Sequence, residues 1–155
     1  RFGYVISDDL LCSYVRGLRF SRDAAFGAFD EAGQMLAFGH LAFVTSDETA
    51  EFGISVAPDA RRLGIGRALL SRAGQHARNR GYRLLVMAFV PENAALAALA
   101  RATGMQLIQD QVEPRAYLAL DTPDVASVLE EAWSEAIAAI DLGFRRAAGA
   151  RPTSA

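Results

Sequence analysis

Three arginines and two glycines crowd the stretch Ser55-Val56-Ala57-Pro58-Asp59-Ala60-Arg61-Arg62-Leu63-Gly64-Ile65-Gly66-Arg67-Ala68-Leu69-Leu70. After Gly64 the apolar positions Ile65, Ala68, Leu69 and Ala73 take helical spacing, so a helix opens there. The first N–H groups of a helix have no partner inside it, and its dipole adds partial positive charge at that end. Gly64 and Gly66 let an anion approach without a Cβ in the way. Arg61, Arg62 and Arg67 bracket the turn, and guanidinium groups give phosphate oxygens charge-assisted hydrogen bonds. These residues at this spacing predict a phosphate or pyrophosphate site.

Three glycine-rich turns compete for that description. A Walker loop needs lysine and then serine or threonine after its second glycine; Gly66 is followed by Arg67 and Ala68, which excludes it. A dinucleotide fingerprint needs three glycines directly after a strand. Here Leu69 holds the third place, and Ala57 to Leu63 separate strand from turn, too many for that tight elbow. The third is Arg/Gln-x-x-Gly-x-Gly/Ala after a strand ending in valine, which Val56 and Arg61-Arg62-Leu63-Gly64-Ile65-Gly66 match throughout. That turn belongs to the GNAT superfamily of N-acetyltransferases, which this chain resembles. A second stretch strengthens the resemblance: Val90-Pro91-Glu92-Asn93, then Leu96, Leu99, Gly104 and Met105, similar to the family's strand, asparagine, helix and Gly-Phe ending. The likeness spans residues 8 to 120.

The resemblance implies acetyl-CoA as co-substrate, no metal, and a primary amine of a small molecule or peptide as acceptor. In that family the strand before the turn and the strand after its helix splay apart. The pantetheine arm then pairs with backbone that corresponds here to Ile54, Ser55 and Val56. The turn from Arg61 through Arg62, Leu63, Gly64, Ile65 and Gly66 to Arg67 would hold the pyrophosphate, with Asn93 beside the pantetheine. Asn93 reads equally as a plain helix cap. A protonated amine cannot attack, so a base must take its proton, and backbone N–H groups can stabilise charge on the thioester oxygen. The resemblance puts a glutamate base at about Glu51, which equally suits pairing with a neighbouring arginine. The family's usual tyrosine, which protonates the departing thiolate, is replaced by Ala100. With a thiol pKa near ~8.5, CoA leaves fairly readily, and water can serve. Tyr82 and Tyr117 are other hydroxyls that the sequence does not place. Ala100 motivates an alternative function, a catalytically weak or inactive acyl-CoA-binding regulatory module.

The elements that must position these groups follow from pattern. Ser7-Asp8-Asp9 starts a helix carrying Leu10, Leu11, Tyr14, Val15 and Leu18. Ala24–Phe29, Met35–Val44 and Ala50–Val56 are strands separated by polar turns; Phe52, Ile54 and Val56 share one face, and Glu51, Gly53 and Ser55 the other. A helix from Gly64 to Arg80 ends at Gly81, Leu84–Val90 is a doubly covered strand, and Asn93 caps a helix ended by Gly104. Met105–Gln111 and Arg115–Leu120 close the sheet. The helix between the third and fourth strands makes them parallel neighbours. The fold class is α/β: a GNAT-like mixed, mostly antiparallel sheet with a splayed parallel strand pair, flanked by helices, plus an extra C-terminal helix.

The domain spans residues 1–120, and Phe2 to Ile6 is too short for the family's first strand, which is missing or replaced. Residues 121–144 make an amphipathic helix opened by Asp121-Thr122-Pro123, its stripe from Val125 to Ile140 packed on the domain or in a dimer; 145–155 are a frayed tail.

Composition bounds the partners. The 155 residues suit one globular domain, and a net charge of −2 gives no global basic field for nucleic acid. No apolar run is long enough to cross a bilayer. The single cysteine, Cys12, cannot form an intrachain disulfide, which favours the cytoplasm; it reads as a small buried hydrophobe. His40, His76 and Cys12 show no metal-ligand spacing. His40 reads as a satisfied core histidine or a base near the acceptor, and Asp47, Glu48 and Glu51 are carboxylates able to attract a cationic amine. The protein is expected to be a monomer or homodimer.

Overall fold

The computed structural model describes residues 7–44, 48–108 and 114–149. Helix α1 (Asp8–Gly17) starts where the serine-aspartate signal puts it, with Ser7 Oγ accepting from the Leu10 N–H at 3.3 Å. Leu10 and Val15 stay exposed, and so does Cys12, against the expectation of burial. Tyr14 is half-buried and reaches from this helix to the sheet at His40.

Strands β1 (Ala24–Phe29), β2 (Met35–Val44), β3 (Thr49–Val56), β4 (Leu84–Ala88), β5 (Gln106–Ile108) and β6 (Arg115–Ala119) form one sheet in the order β1-β2-β3-β4-β6-β5. Among the described residues only β3 and β4 pair in parallel. Their connection carries a 3-10 turn (Pro58–Ala60) and helix α2 (Ile65–Asn79), long enough for a crossover. Gly81, at φ +83°, ends that helix as its position promised. Leu41 pairs with Phe52, Ala50 with Leu85 and Leu85 with Leu118, so these side chains share one face. Leu69, Leu70, Ala73 and Ala77 of α2 and Ala100 of α3 (Ala94–Ala102) cover it, and together they are the core. The mixed, mostly antiparallel sheet with one parallel pair is the architecture the pattern predicted.

Four boundaries differ by two residues or more. β4 stops at Ala88, although the Phe89 N–H still donates to Pro114 O at 3.1 Å, in register with β6. The next strand is Gln106–Ile108; the remainder of the predicted segment, 109–113, lies outside the described residues. Helix α4 (Val125–Gly149) opens later than Asp121-Thr122-Pro123, since Asp124 supplies the cap, its Oδ1 accepting from the Ser127 N–H at 2.7 Å. The helix continues past Phe144 to Gly149. Phe2 to Ile6 and residues 150–155 lie outside the described residues. No helix among those described is long and apolar enough to cross a membrane.

Helix α4 docks on α2 through its polar side. Glu131 bonds to His76 Nδ1 and accepts from Asn79 Nδ2 at 2.6 Å; Ser127 Oγ donates to Asn79 Oδ1 at 2.7 Å. His76 and Glu131 are both buried, with Arg80 Nη1 2.8 Å from His76 Nδ1 and Glu135 4.0 Å from it. His76, Glu131 and Glu135 offer metal-type ligand atoms within 4.8 Å of one another, but the Arg80 guanidinium already brings a cation to the same nitrogen.

Burial holds the His76 pKa below its ordinary 6.5, aided by the Arg80 charge and opposed by Glu131. Burial alone would raise the Glu131 carboxyl, but bonds from Asn79 and His76 and the His76 and Arg80 charges hold it below its ordinary 4.5. A depressed histidine stabilises the fold above its unfolded pKa and loses that contribution as pH falls through the folded one. Urea midpoints are therefore expected to fall as pH drops below 6.5, and further below 4.5 as Glu131 protonates. In His76→Gln the first loss should vanish and the second persist. A midpoint as flat in wild type as in that variant between pH 6.5 and 4.5 contradicts the linkage.

Candidate active site

The parallel ladder of β3 and β4 covers three positions, Thr49–Leu84, Ala50–Leu85 and Glu51–Val86. Beyond Glu51, β3 continues to Val56, still paired on its other side with β2 as far as Ala37. The two parallel strands thus part at their C-terminal ends. From Phe52 to Val56 the peptide groups that face β4 have no strand partner among the described residues. Along this stretch Ile54 is buried beneath α2, Ser55 is exposed and Val56 is half-buried.

The turn follows directly. Ala60 is buried and anchors the 3-10 turn, while Arg61 folds back so that its Nε donates to Val56 O at 3.3 Å. Two left-handed residues come next, Arg62 at φ +68° and Gly64 at φ +81°. A glycine takes that conformation without cost, but an arginine held there stores roughly 1 kcal/mol of backbone strain. Gly64 is the N-cap of α2 and has no side chain to satisfy the first-turn N–H groups. Leu63 and Arg67 are exposed, and Ile65 is half-buried. At Gly66 an added Cβ would meet Leu99 Cδ2 at 3.5 Å and Ile54 Cδ1 at 3.8 Å, ordinary contact distances. Gly66 is therefore where β3, α2 and α3 converge. A groove of about 490 Å³ runs down α2 from Arg67 past Ser71 and Gln75 to Arg78, sharing only Arg67 with the turn.

Asn93 caps α3, its Oδ1 accepting from the Leu96 N–H at 3.1 Å, just after β4 ends. Its side-chain Nδ2 is not used by that cap. Glu51 is half-buried at the last paired position before the strands part, on the sheet face opposite α2. The register sets Glu51, Val86 and Tyr117 in one row on that face. Tyr82 lies elsewhere, stacked on Phe43 with ring centroids 4.5 Å apart. Ala100 is wholly buried in the core.

His40 shares the Glu51 face, paired in register with Gly53. Its Nδ1 lies 3.2 Å from the Tyr14 hydroxyl, and its Nε2 lies 3.4 Å from Asp23 Oδ2, an ion-pair distance. Burial would raise the Asp23 carboxyl, but the Phe43 backbone, Arg22 and His40 outweigh it and hold the pKa down. His40 thus faces partners from two other segments, with a hydrogen bond at Nδ1 and only the ion-pair distance to Asp23 at its buried Nε2. Tyr14 and Asp23 carry no periodic or motif signal that associates them with His40, so the sequence did not reveal the group.

The sites predicted at the turn, on the β3 edge and at Asn93 all gather at the C-terminal ends of the parallel pair; Glu51 lies where the pairing stops. Anion donors, bare strand edge and carboxylate suit a long phosphorylated ligand whose reactive end reaches the sheet.

Comparisons with known proteins agree with this layout. The Acetyltransferase (GNAT) family model matches residues 6–105. No curated protein sequence matches the chain. Among solved structures, a GNAT superfamily phosphinothricin acetyltransferase from Sinorhizobium meliloti in complex with AcCoA superposes with a TM-score of 0.62, 20% identity and coverage of 78% of this chain and 73% of that one. Ribosomal-protein-alanine N-acetyltransferase from Brucella melitensis gives 0.61, 21%, and 76% and 81%. Spermidine N-acetyltransferase from Vibrio cholerae in complex with CoA and spermine gives 0.60, 19%, and 74% and 76%. At these identities the likeness is one of fold.

Proposed function

Because the chain belongs to the acetyltransferase (GNAT) family, we propose that it transfers the acetyl group of acetyl-CoA to a primary amine of a small molecule or peptide. The observation that carries this reading is the bare β3 edge running straight into an uncapped helix start flanked by arginines. Peptide groups near Ile54, Ser55 and Val56 accept the pantetheine amides as a further strand would. First-turn N–H groups from Gly64 to Arg67, with Arg61 and Arg62, bind the pyrophosphate. Strain at Arg62 supports the assignment, since residues held at positive φ cluster at ligand-binding turns. Asn93 donates its amide nitrogen to the pantetheine while its oxygen stays on the cap.

Acetyl-CoA supplies an activated acyl carbon. The amine nitrogen bonds to that carbon, the carbon–sulfur bond breaks, and CoA leaves as thiolate. Glu51 takes the proton the amine must shed, directly or through one water. Ala100 provides no acid, so the thiolate takes a proton from water. Calorimetry with acetyl-CoA, then thiol release with a panel of amines, tests the reading. Absence of binding would overturn it.

The two glycines differ in what an added methyl costs. Gly64→Ala forces alanine to φ +81° and is expected to cost about 1–2 kcal/mol of unfolding free energy. Gly66→Ala meets only ordinary contacts inside a helix, where alanine is favoured by about 1 kcal/mol, so stability should hold or rise. Its new methyl points between Leu99 and Ile54, and the turn's pattern admits alanine at this place, so acetyl-CoA affinity should hold. Urea unfolding and calorimetry read both variants, and a Gly64→Ala as stable as wild type, or a Gly66→Ala clearly less stable, would contradict this.

A further inference from the structure

Helix α4 is docked in reverse of the usual sense. Ser127 and Glu131 are buried against α2, while Trp133 is 71% exposed. The orientation is fixed by bonds: rolling the apolar side inward would leave buried His76 and half-buried Asn79 without Glu131 and Ser127. The outward face has its own order. Ala126, Leu129, Trp133, Ala136 and Ile140 recur at alternating intervals of three and four, the seam of a coiled coil. Val125 and Ile137 flank the seam, and no charged residue lies on it.

We propose that this face binds the same face of a second copy of the chain, as an antiparallel helix pair. A seam with this spacing selects another helix with matching knobs. A neutral face meets its own copy without like-charge repulsion, and the isologous arrangement closes at two subunits. A two-fold axis through Trp133 sets Ala126 opposite Ile140 and Leu129 opposite Ile137, small against large and aliphatic against aliphatic. Five large side chains, from Ile137 at 53% to Val125 at 78% exposure, offer on the order of 500 Å² per copy; two copies reach ~1,000 Å², where specific interfaces begin. A lipid surface fits less well. Helices that lie on membranes carry lysine or arginine along the polar side, whereas the turns bearing this seam carry Glu130, Glu131 and Glu135; Arg145 and Arg146 come only beyond it, and the chain has no lysine. The pairing stands independently of acetyl transfer.

Sedimentation velocity of the full chain over a range of concentrations is expected to show a dimer. Leu129→Glu and Trp133→Glu should each raise its dissociation constant at least ~30-fold, with circular dichroism unchanged. Trp133 is the sole tryptophan, so wild-type emission should shift to the blue as the dimer forms. In a Cys12→Ser background, Trp133→Cys should cross-link to itself on oxidation, and Glu31→Cys, in the β1–β2 turn, should not. This arm decides the matter even where a charged variant fails to fold. A wild type monomeric throughout, a dimer indifferent to both substitutions, or equal cross-linking from the two cysteines overturns the proposal. So does wild type co-floating with phosphatidylcholine–phosphatidylglycerol vesicles when Leu129→Glu does not.

Discussion

Glu51→Gln is expected to lower turnover by about 10²–10⁴-fold while leaving acetyl-CoA affinity unchanged. Glutamine keeps the size of the side chain and most of its hydrogen bonding, but it cannot hold the proton of an attacking amine. Position matters as much as chemistry. Glu51 is the last residue of β3 still paired with β4, so it stands at the inner end of the gap between the strands. The phosphate turn lies at the other end, on the far side of Ile54, Ser55 and Val56. A ligand anchored at Arg61 and Gly64 would therefore bring its distal end towards Glu51. Calorimetry with acetyl-CoA and steady-state thiol release with one acceptor, run on both proteins, separate the outcomes. A variant as fast as wild type removes Glu51 from the base role. A wild type that binds acetyl-CoA and turns over no amine favours the regulatory module instead. Loss of binding in the variant makes Glu51 a structural residue, paired as a strand carboxylate would be.

Much of this layout was legible because local rules and tertiary demands coincide in it. Gly64, Gly81 and Gly104 all adopt positive φ, so each glycine announced a turn that only glycine fits without strain. The alternation of Phe52 and Ile54 with Gly53 and Ser55 set the face of β3 before any partner was known. The parallel pair followed from one helix-length connection. What was not legible depends on long-range partners. Residues of α4 read as an amphipathic helix, and so they are, but the stripe alone does not say which side docks. That choice rests on His76 and Asn79, more than fifty positions and nearly fifty positions earlier than their respective partners Glu131 and Ser127. The Tyr14–His40–Asp23 group was not legible for the same reason, since its members come from α1, β2 and the segment before β1. Cys12 reversed its expected burial because α1 leaves much of its own surface in solvent.

Restoring the family's missing hydroxyl by Ala100→Tyr is expected to destabilise the fold by at least about 2–3 kcal/mol, without raising turnover. A methyl group at 0% exposure is surrounded by core atoms, and the helix is fixed there at both ends. Asn93 caps one end, and at the other the Met105 N–H returns to Ala100 O at 3.0 Å. A phenol ring must therefore displace buried core side chains such as Met105, or push α3 off the sheet. Displacing α3 would also move Leu99 from its place beside Gly66, and with it the start of α2 that binds the phosphates in our reading. The substitution thus threatens affinity before it can help the leaving group. Urea midpoints and acetyl-CoA titrations of Ala100→Tyr check both parts. A stable variant that releases thiol faster than wild type would mean that the position opens onto the reacting sulfur after all. Departure of the thiolate through water is then the less economical account, and the alanine becomes a loss the enzyme tolerates rather than a core residue it requires.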